Sequence, residues 1–352
     1  MRLLPGTPTL PIGVDVGGRH LRAVQLSGSP GRWTMSAAGS IVRKHQCRPL
    51  DRTDAAGLRE MLDKGAFKGR RVVLAVPANM LMTGILDLPP RSSGAPLGQL
   101  ARSELSRMHR CQPDSFELAC WDLPAPARAG GATYVMAAGC GHSQADELID
   151  TVEAEGLDVH ALDLYASAVA RVCNPVLDGV EGIAAILDLR WAQATLILLY
   201  QGVVVYERKL AKCGVEPVVD SLVRKHKLHR NRAEDLVRKV GLATQCPDIK
   251  PDILKAVNRA VAAYSDSLVE EMRIPLSYLT NQYPDASPEM LLLAGGAAPI
   301  PGLVERLDSV LEFYVRTVGP GDIARCSADI EEKFGLSLTS AVGLGQFSEA
   351  SQ

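Results

Sequence analysis

The sequence predicts a two-lobed α/β protein. Three observations carry that prediction. Two acidic strand-turn-strand units stand at Asp15 and Asp188, near the start and the middle of the chain. Strand-like apolar runs alternate with amphipathic helices along most of the 352 residues. A late apolar strand, Met290–Ala294, runs into Gly295-Gly296 and then a helix.

Taken in order, Ile12–Val16 is an apolar run broken by Gly17-Gly18. Leu21–Leu26 alternates its apolar residues, and Met35–Val42 is a third strand. A short helix over Asp54–Lys64 puts Leu58, Met61 and Leu62 on one face. Val72–Val76 is a β-branched run ended by Pro77, and Ile85–Leu88 ends at Pro89-Pro90. Arg91–Gly98 is a loop and Leu97–His109 a helix. Phe116–Leu123 and Thr133–Cys140 are strands joined by the flexible loop Pro124–Gly131. Ala145–Glu155 is amphipathic with Gly156 at its end, and Leu162–Val172 is a helix stopped by Asn174-Pro175. The second half opens with strands Ile183–Leu187, Ala194–Leu199 and Val203–Leu210. Helices Val215–His226, Arg232–Val240 and Ile253–Tyr283 follow, the last with Pro275 expected to kink or end it. Pro301–Leu311 and Leu336–Gln346 are the closing helices.

Composition excludes some functions. Apolar residues make up 47% and charged residues 22%, ordinary for a globular protein. A formal net charge of −2 supplies no field toward nucleic acid or an anionic membrane, and 5% aromatics is thin for stacking bases. Eight Cys without a CxxC pair read as free thiols of a reducing compartment, and the seven His lack ligand spacing. Cys111, Cys120 and Cys140 are expected to be small buried hydrophobes. The first ten residues hold no leader-like apolar run, and no segment approaches the ~20 apolar residues that span a bilayer.

Two motifs carry candidate chemistry. In GVDVGGRHLRAVQL, Gly17 and Gly18 would let turn N–H groups approach a phosphate. Asp15 would hold Mg²⁺ through water, and Arg22 would face a phosphate or a carboxylate. The same segment is also compatible with a plain β-hairpin whose Asp and Gly serve the turn. In LLLAGGAAPIPGL, the Gly295-Gly296 backbone could lie against a purine or ribose, or simply close a tight strand-helix turn. The basic run Arg224–Arg232 reads as a solvated turn between helices, with a phosphate patch as the other reading. Glu270 and Glu271 read as surface residues.

In this order the motifs resemble the actin-like ATPase superfamily. VVLAVPANMLMTGILDLPP (Val72–Pro90), LGQLARSELSRMH, FELACWDL with Asp122, and ADELIDTVEAEGLDVHALDL are similar to the type IV pilus assembly protein PilM family. The resemblance covers nearly the whole chain. It implies an actin-like fold of duplicated ribonuclease-H-like subdomains with two small insertions. The first lobe would span residues 10–180 with an α+β insertion at 91–140. The second would span 181–335 with a helical insertion at 215–285. Residues 336–352 would form a closing helix and tail packing back on the first lobe. It further implies ATP with Mg²⁺ as cofactor, with Asp15, Gly17, Gly18, Arg22, Asp188, Glu234, Gly295 and Gly296 as the nucleotide-binding set. Location would be cytoplasmic, held peripherally at the inner membrane by partners. Those partners would be other pilus inner-membrane components and the cytoplasmic N-terminal peptide of a PilN-like membrane protein. The peptide would lie in a groove within residues 75–165.

The departures point away from hydrolysis. The family's first phosphate loop reads DIGSSSVK; here the hydroxyls are gone and Arg22 closes the motif. The second reads DIG; here it is Asp188-Leu189-Arg190-Trp191, and Arg190 would either clash with a phosphate or contact it. Tyr165-Ala166 stands where Glu-Pro is usual, and a tyrosine neutral near pH 7 is no substitute for a carboxylate base. Asp163 lies two positions away. The family's AExxK reads Ala233-Glu234-Asp235-Leu236-Val237. The expectation is a scaffold with damaged hydrolytic motifs. An active ATPase or phosphotransferase of the same superfamily is the alternative. A cell-division actin homologue is disfavoured, because the polar ending GQFSEASQ differs from an amphipathic membrane helix.

Overall fold

The computed structural model describes residues 10–127 and 130–348. The expectations for the first nine residues, for two residues of the Pro124–Gly131 loop and for the last four residues lie outside them. The first half opens with a meander of β1 (Ile12–Val16), β2 (His20–Ser27) and β3 (Thr34–Val42). Then come α1 (Arg52–Lys64) and β4 (Arg71–Ala75). Asp51 caps α1 by accepting the Asp54 N–H at 3.0 Å, satisfying a donor that the helix cannot.

An insertion follows: β5 (Leu81–Leu88), α2 (Leu97–His109), β6 (Phe116–Asp122) and β7 (Thr133–Gly141). Its antiparallel sheet has the order β5-β7-β6. Leu105 of α2 and Phe116 are fully buried in its own small core. The half ends with α3 (His142–Glu153), β8 (Asp158–Asp163) and α4 (Tyr165–Cys173).

The second half repeats the plan. A meander of β9 (Ile183–Leu189), β10 (Ala194–Tyr200) and β11 (Val203–Leu210) leads to three helices. These are α5 (Glu216–His226), α6 (Arg230–Lys239) and α7 (Pro251–Gln282). After them come β12 (Pro288–Ala294), α8 (Leu303–Val310), β13 (Tyr314–Thr317), α9 (Pro320–Ile323), α10 (Ala328–Phe334) and α11 (Thr339–Gly345).

The two main sheets are alike. One has the order β3-β2-β1-β4-β8 and the other β11-β10-β9-β12-β13. In each, an antiparallel meander continues into two parallel strands. Helices α4 and α11 lie between the sheets. Val24 and Leu26 of the first sheet share a core with Val169 and Val172 of α4, Val342 of α11, and Ile186, Ile197 and Leu199 of the second sheet. Because β9 is covered on both faces, all seven of its residues are buried, which is why it reads as a continuous apolar run. No helix among the described residues is long and apolar enough to cross a membrane.

Several elements differ from the sequence expectations. β5 starts four residues earlier than Ile85, because Leu81 already pairs with Cys140 of β7. Leu162 and Asp163 end β8 rather than begin a helix, held by parallel pairing with Leu74 and Ala75. Pro275 does not end α7, which runs on to Gln282. Pro275 is buried, and Leu268, Met272, Leu276 and Leu279 anchor both sides of it in the core. That burial outweighs the ~3 kcal/mol an internal proline costs. β13, α9 and α10 are too short to show a period. Cys120 is exposed, and Cys111 and Cys140 are only partly buried.

Candidate functional site in the interlobe cleft

The turns after β1 and β9 face each other across a cavity of about 270 Å³. Gly17, Gly18, Arg22, Asp188, Glu234, Gly295 and Gly296 line it. Asp15 sits just behind, 2% exposed. Residues more than 200 positions apart thus converge. The Arg224–Arg232 run crosses the turn from α5 to α6, where Arg230 pairs with Glu216 and Asp220 and its guanidinium carbon lies 5.9 Å from the ring centre of Trp191 at the cavity. Glu270 is exposed and pairs with Arg273 at 3.3 Å, and Glu271 pairs with Arg208 at 3.3 Å.

The first turn is braced from behind. Its Gly17 carbonyl accepts from Arg43 Nη1 at 3.0 Å, and its Gly18 carbonyl accepts the Cys47 N–H at 2.7 Å. Arg43 also donates to Asp54 Oδ2 through Nη2 at 2.6 Å and Nε at 3.0 Å. Both side chains of this pair are almost wholly buried. The second turn is tied to the start of α5, where the Val215 and Glu216 N–H groups donate to the carbonyls of Arg190 and Trp191.

Arg190 is engaged by carboxylates. Its guanidinium lies between the two motif carboxylates. Nη2 donates to Asp15 Oδ2 across the lobes, and Nε stands 3.3 Å from Asp188 Oδ2. The hydroxyl of Tyr165 donates to the same Asp188 oxygen, and the Arg190 guanidinium carbon lies 5.3 Å from the Tyr165 ring centre. Arg22 adds a second cation 3.7 Å from Asp15 Oδ2. Two carboxylates and two guanidinium groups therefore balance without an external ion.

The electrostatics follow from burial. Burial raises the Asp188 pKa against the opposing pull of Arg190 and Tyr165. Burial alone would lower that of Arg190, but Asp15, Tyr165 and Asp188 outweigh it and hold the guanidinium charged. Burial also pushes Tyr165 well above the ordinary phenol range, so it stays a neutral donor. His20 is pushed down to about 4 by burial and by Arg22 and Arg19.

Two residues missed in the sequence close the other end. Arg19 Nη1 donates to Glu234 Oε2 at 2.8 Å across the lobes, and its guanidinium stacks 4.5 Å from the Trp191 ring centre. The Trp191 Nε1 and Glu234 Oε1 atoms are buried without a protein partner. Only the side chains that follow each acidic turn, Arg19 and Trp191, hinted at this. Their partners lie far off in the chain, beyond any local pattern.

Gly295 and Gly296 have different reasons to be glycine. Gly295 adopts φ +86°, and a Cβ there would lie 2.3 Å from Asp188 Oδ1 and 2.5 Å from the Leu189 carbonyl oxygen. It is required by the packing of β12 against the second turn. A Cβ on Gly296 would meet nothing nearer than 3.7 Å.

Asp163 does not reach the cavity. It accepts from Arg171 Nη1 at 3.0 Å and from the Leu164 N–H at 2.7 Å, and it is 8% exposed. Asp163 is thus held away from Tyr165's side of the cavity, and the carboxylate that Tyr165 does touch, Asp188, is shared with Arg190. Mg²⁺ with a polyphosphate would have to displace Arg190 here. Both motif carboxylates are engaged by Arg190, and a Cβ at Gly18 would meet the Ala192 methyl at 3.3 Å, so the turns nearly abut. The opposite end, walled by Val219, Val237, Pro299 and Ile300, suits a flat apolar-faced group.

Comparison with known proteins agrees with this architecture. The chain superposes on a chain of a PilM–PilN type IV pilus biogenesis complex. The TM-score is 0.73 at 20% identity, covering 97% of this chain and 100% of that one. It also matches the ethanolamine utilization protein EutJ of Carboxydothermus hydrogenoformans, at TM-score 0.56 and 13% identity over 98% and 92% of the two chains. MreB 5 of Spiroplasma citri, solved with AMPPNP, matches at TM-score 0.51 and 11% identity over 98% and 97%. No curated protein sequence matches. The family model for type IV pilus assembly protein PilM matches residues 13–344. With its duplicated sheets and facing acidic turns, this chain has the actin-like fold and belongs to the type IV pilus assembly protein PilM family.

Proposed function

We propose that this protein is a scaffold of the type IV pilus inner-membrane assembly complex whose nucleotide cleft has become a structural latch. The observation that carries the reading is Arg190, seated between Asp15 and Asp188. In an active actin-like site a metal and phosphates would neutralise those carboxylates and draw the lobes together. Here the Arg190–Asp15 and Arg19–Glu234 pairs cross the cleft and supply that attraction from within the chain. A nucleotide entering with Mg²⁺ would have to displace Arg190 from a buried carboxylate, so weak binding and little hydrolysis are expected.

Recruitment then rests on partners. The family and the PilM–PilN likeness support a PilN-like peptide as ligand. Within residues 75–165, β5 and β8 each lie at the edge of a sheet, and edge strands accept extended peptides through main-chain hydrogen bonds.

Calorimetry with Mg²⁺ and AMPPNP, together with steady-state hydrolysis, tests the latch. The expected result is weak or no binding by the native protein and tighter binding by Arg190→Gly. Native turnover above about 1 s⁻¹, inside the usual enzyme range, overturns the reading in favour of an ATPase. A pull-down with the N-terminal peptide of the adjacent PilN-like protein tests the scaffold claim separately; no capture at high micromolar peptide overturns it.

A further inference from the structure

A second groove, away from the interlobe cleft, lies between α5 and α7, with a volume of about 600 Å³. Its floor is apolar. Val218 and Leu222 of α5 and Tyr264 of α7 are buried there, with Ala256 and Ala260 beside them. Its rim is cationic: Lys212 before α5, Lys225 on α5, and Lys255 and Arg259 on α7, with His226 adjacent. Asp252 is the one acid lining it.

The charge imbalance follows from helix geometry. On α5 the acids Glu216 and Asp220 sit one turn apart and pair with Arg230 of α6. Lys225 is left to the groove side. On α7 the positions 252, 255, 256, 259, 260 and 263 form one stripe at helical spacing, facing α5. Most other arginines of this region are paired: Arg208 with Glu271, Arg238 with Asp235, Arg306 with Asp266. Among the described residues, Lys212, Lys225, Lys255 and Arg259 have no ion-pair partner. Four exposed cations thus converge over an apolar trough.

We infer that this groove docks an acidic amphipathic segment of a partner protein, with apolar side chains on the trough and carboxylates on the rim. The apolar floor favours a peptide over nucleic acid, which would need exposed aromatic platforms; Tyr264 on the floor is 5% exposed, and among the described residues no Phe or Trp lines the groove. It also favours a peptide over a lipid surface, since the apolar residues lie at the bottom of a trough. Helix-in-groove recognition uses this division of apolar anchors and charged flanks. The site is separate from the arginine latch and from residues 75–165.

The test uses the full chain and a fluorescein-labelled peptide with Leu at helical i, i+3, i+4 and i+7 spacing and Glu between. Saturable anisotropy that falls with added salt is expected. The double reversal Lys255→Glu with Arg259→Glu should weaken binding at least tenfold. A peptide with Lys in place of Glu should bind the reversed protein better than the native one. All substituted groups are exposed, and an unchanged melting curve shows that the fold persists; Lys225→Glu provides a second variant on the other helix. No saturable binding of the Glu/Leu peptide overturns the proposal. So does binding indifferent to every reversal, or tighter binding of a single-stranded oligonucleotide or of phosphatidylglycerol vesicles.

Discussion

The turn after β1 and the turn after β9 occupy equivalent places in two sheets of the same order, yet they have diverged in opposite ways. The first keeps its glycines and has a backbone tied from behind by a buried Arg43–Asp54 pair. The second has lost its glycine, and the replacing side chain, Arg190, reaches across to the carboxylate of the first. One turn retains the form of a phosphate cradle while the other fills it. On the proposed latch reading, one half of a duplicated site suffices to change what fills it, because the two carboxylates need a cation between them and do not specify which.

Five substitutions separate the two turns. The largest effect is expected from Asp54→Ala. It strands the Arg43 charge behind the first turn, and stranding one member of a buried pair costs about 3–5 kcal/mol. Urea unfolding measures it; a loss under about 1 kcal/mol would mean that the brace is dispensable. Arg190→Gly, which makes the second turn resemble the first, should destabilise by roughly 2–3 kcal/mol, less because the guanidinium is partly exposed. Added Mg²⁺ should then raise the melting temperature of the variant and not of the native protein. An equal response from both would show that Arg190 does not occupy the cation position.

Gly295→Ala should cost about 1–3 kcal/mol, the usual range for a residue forced into a sparsely populated backbone region, and here it also meets Asp188. Gly296→Ala should be nearly neutral, and equal losses at the two positions would refute the distinction drawn between them. A pH dependence is also expected from His20. Its folded-state pKa of about 4 lies below the ordinary 6.5, so the unfolded chain takes up the proton first. Stability should therefore fall as pH drops from about 6.5 toward 4, with the loss complete below that. His20→Asn should flatten that part of the curve of melting temperature against pH.

Sequence alone determined the architecture, because its signals are local. Period-two and continuous apolar runs marked β1 to β4 and β9 to β12. A one-sided stripe marked α7, and glycines marked the turns. Its resemblance to the family also raised the expectation of altered hydrolytic motifs, since Arg190 and Tyr165 are visible as residue types. It could not say what Arg190 does. A guanidinium can clash, bind phosphate or pair with a carboxylate, and the choice depended on Asp15, 175 positions away. The same holds for Arg19 with Glu234 and for the diversion of Asp163 to Arg171. The continuation of α7 through Pro275 was likewise decided by burial on both sides rather than by propensity. Local patterns specify elements because backbone periods are short-range. The pairing of charges across a cleft is decided only when the lobes close and water leaves, since only there do unpaired charges become costly enough to select their partners.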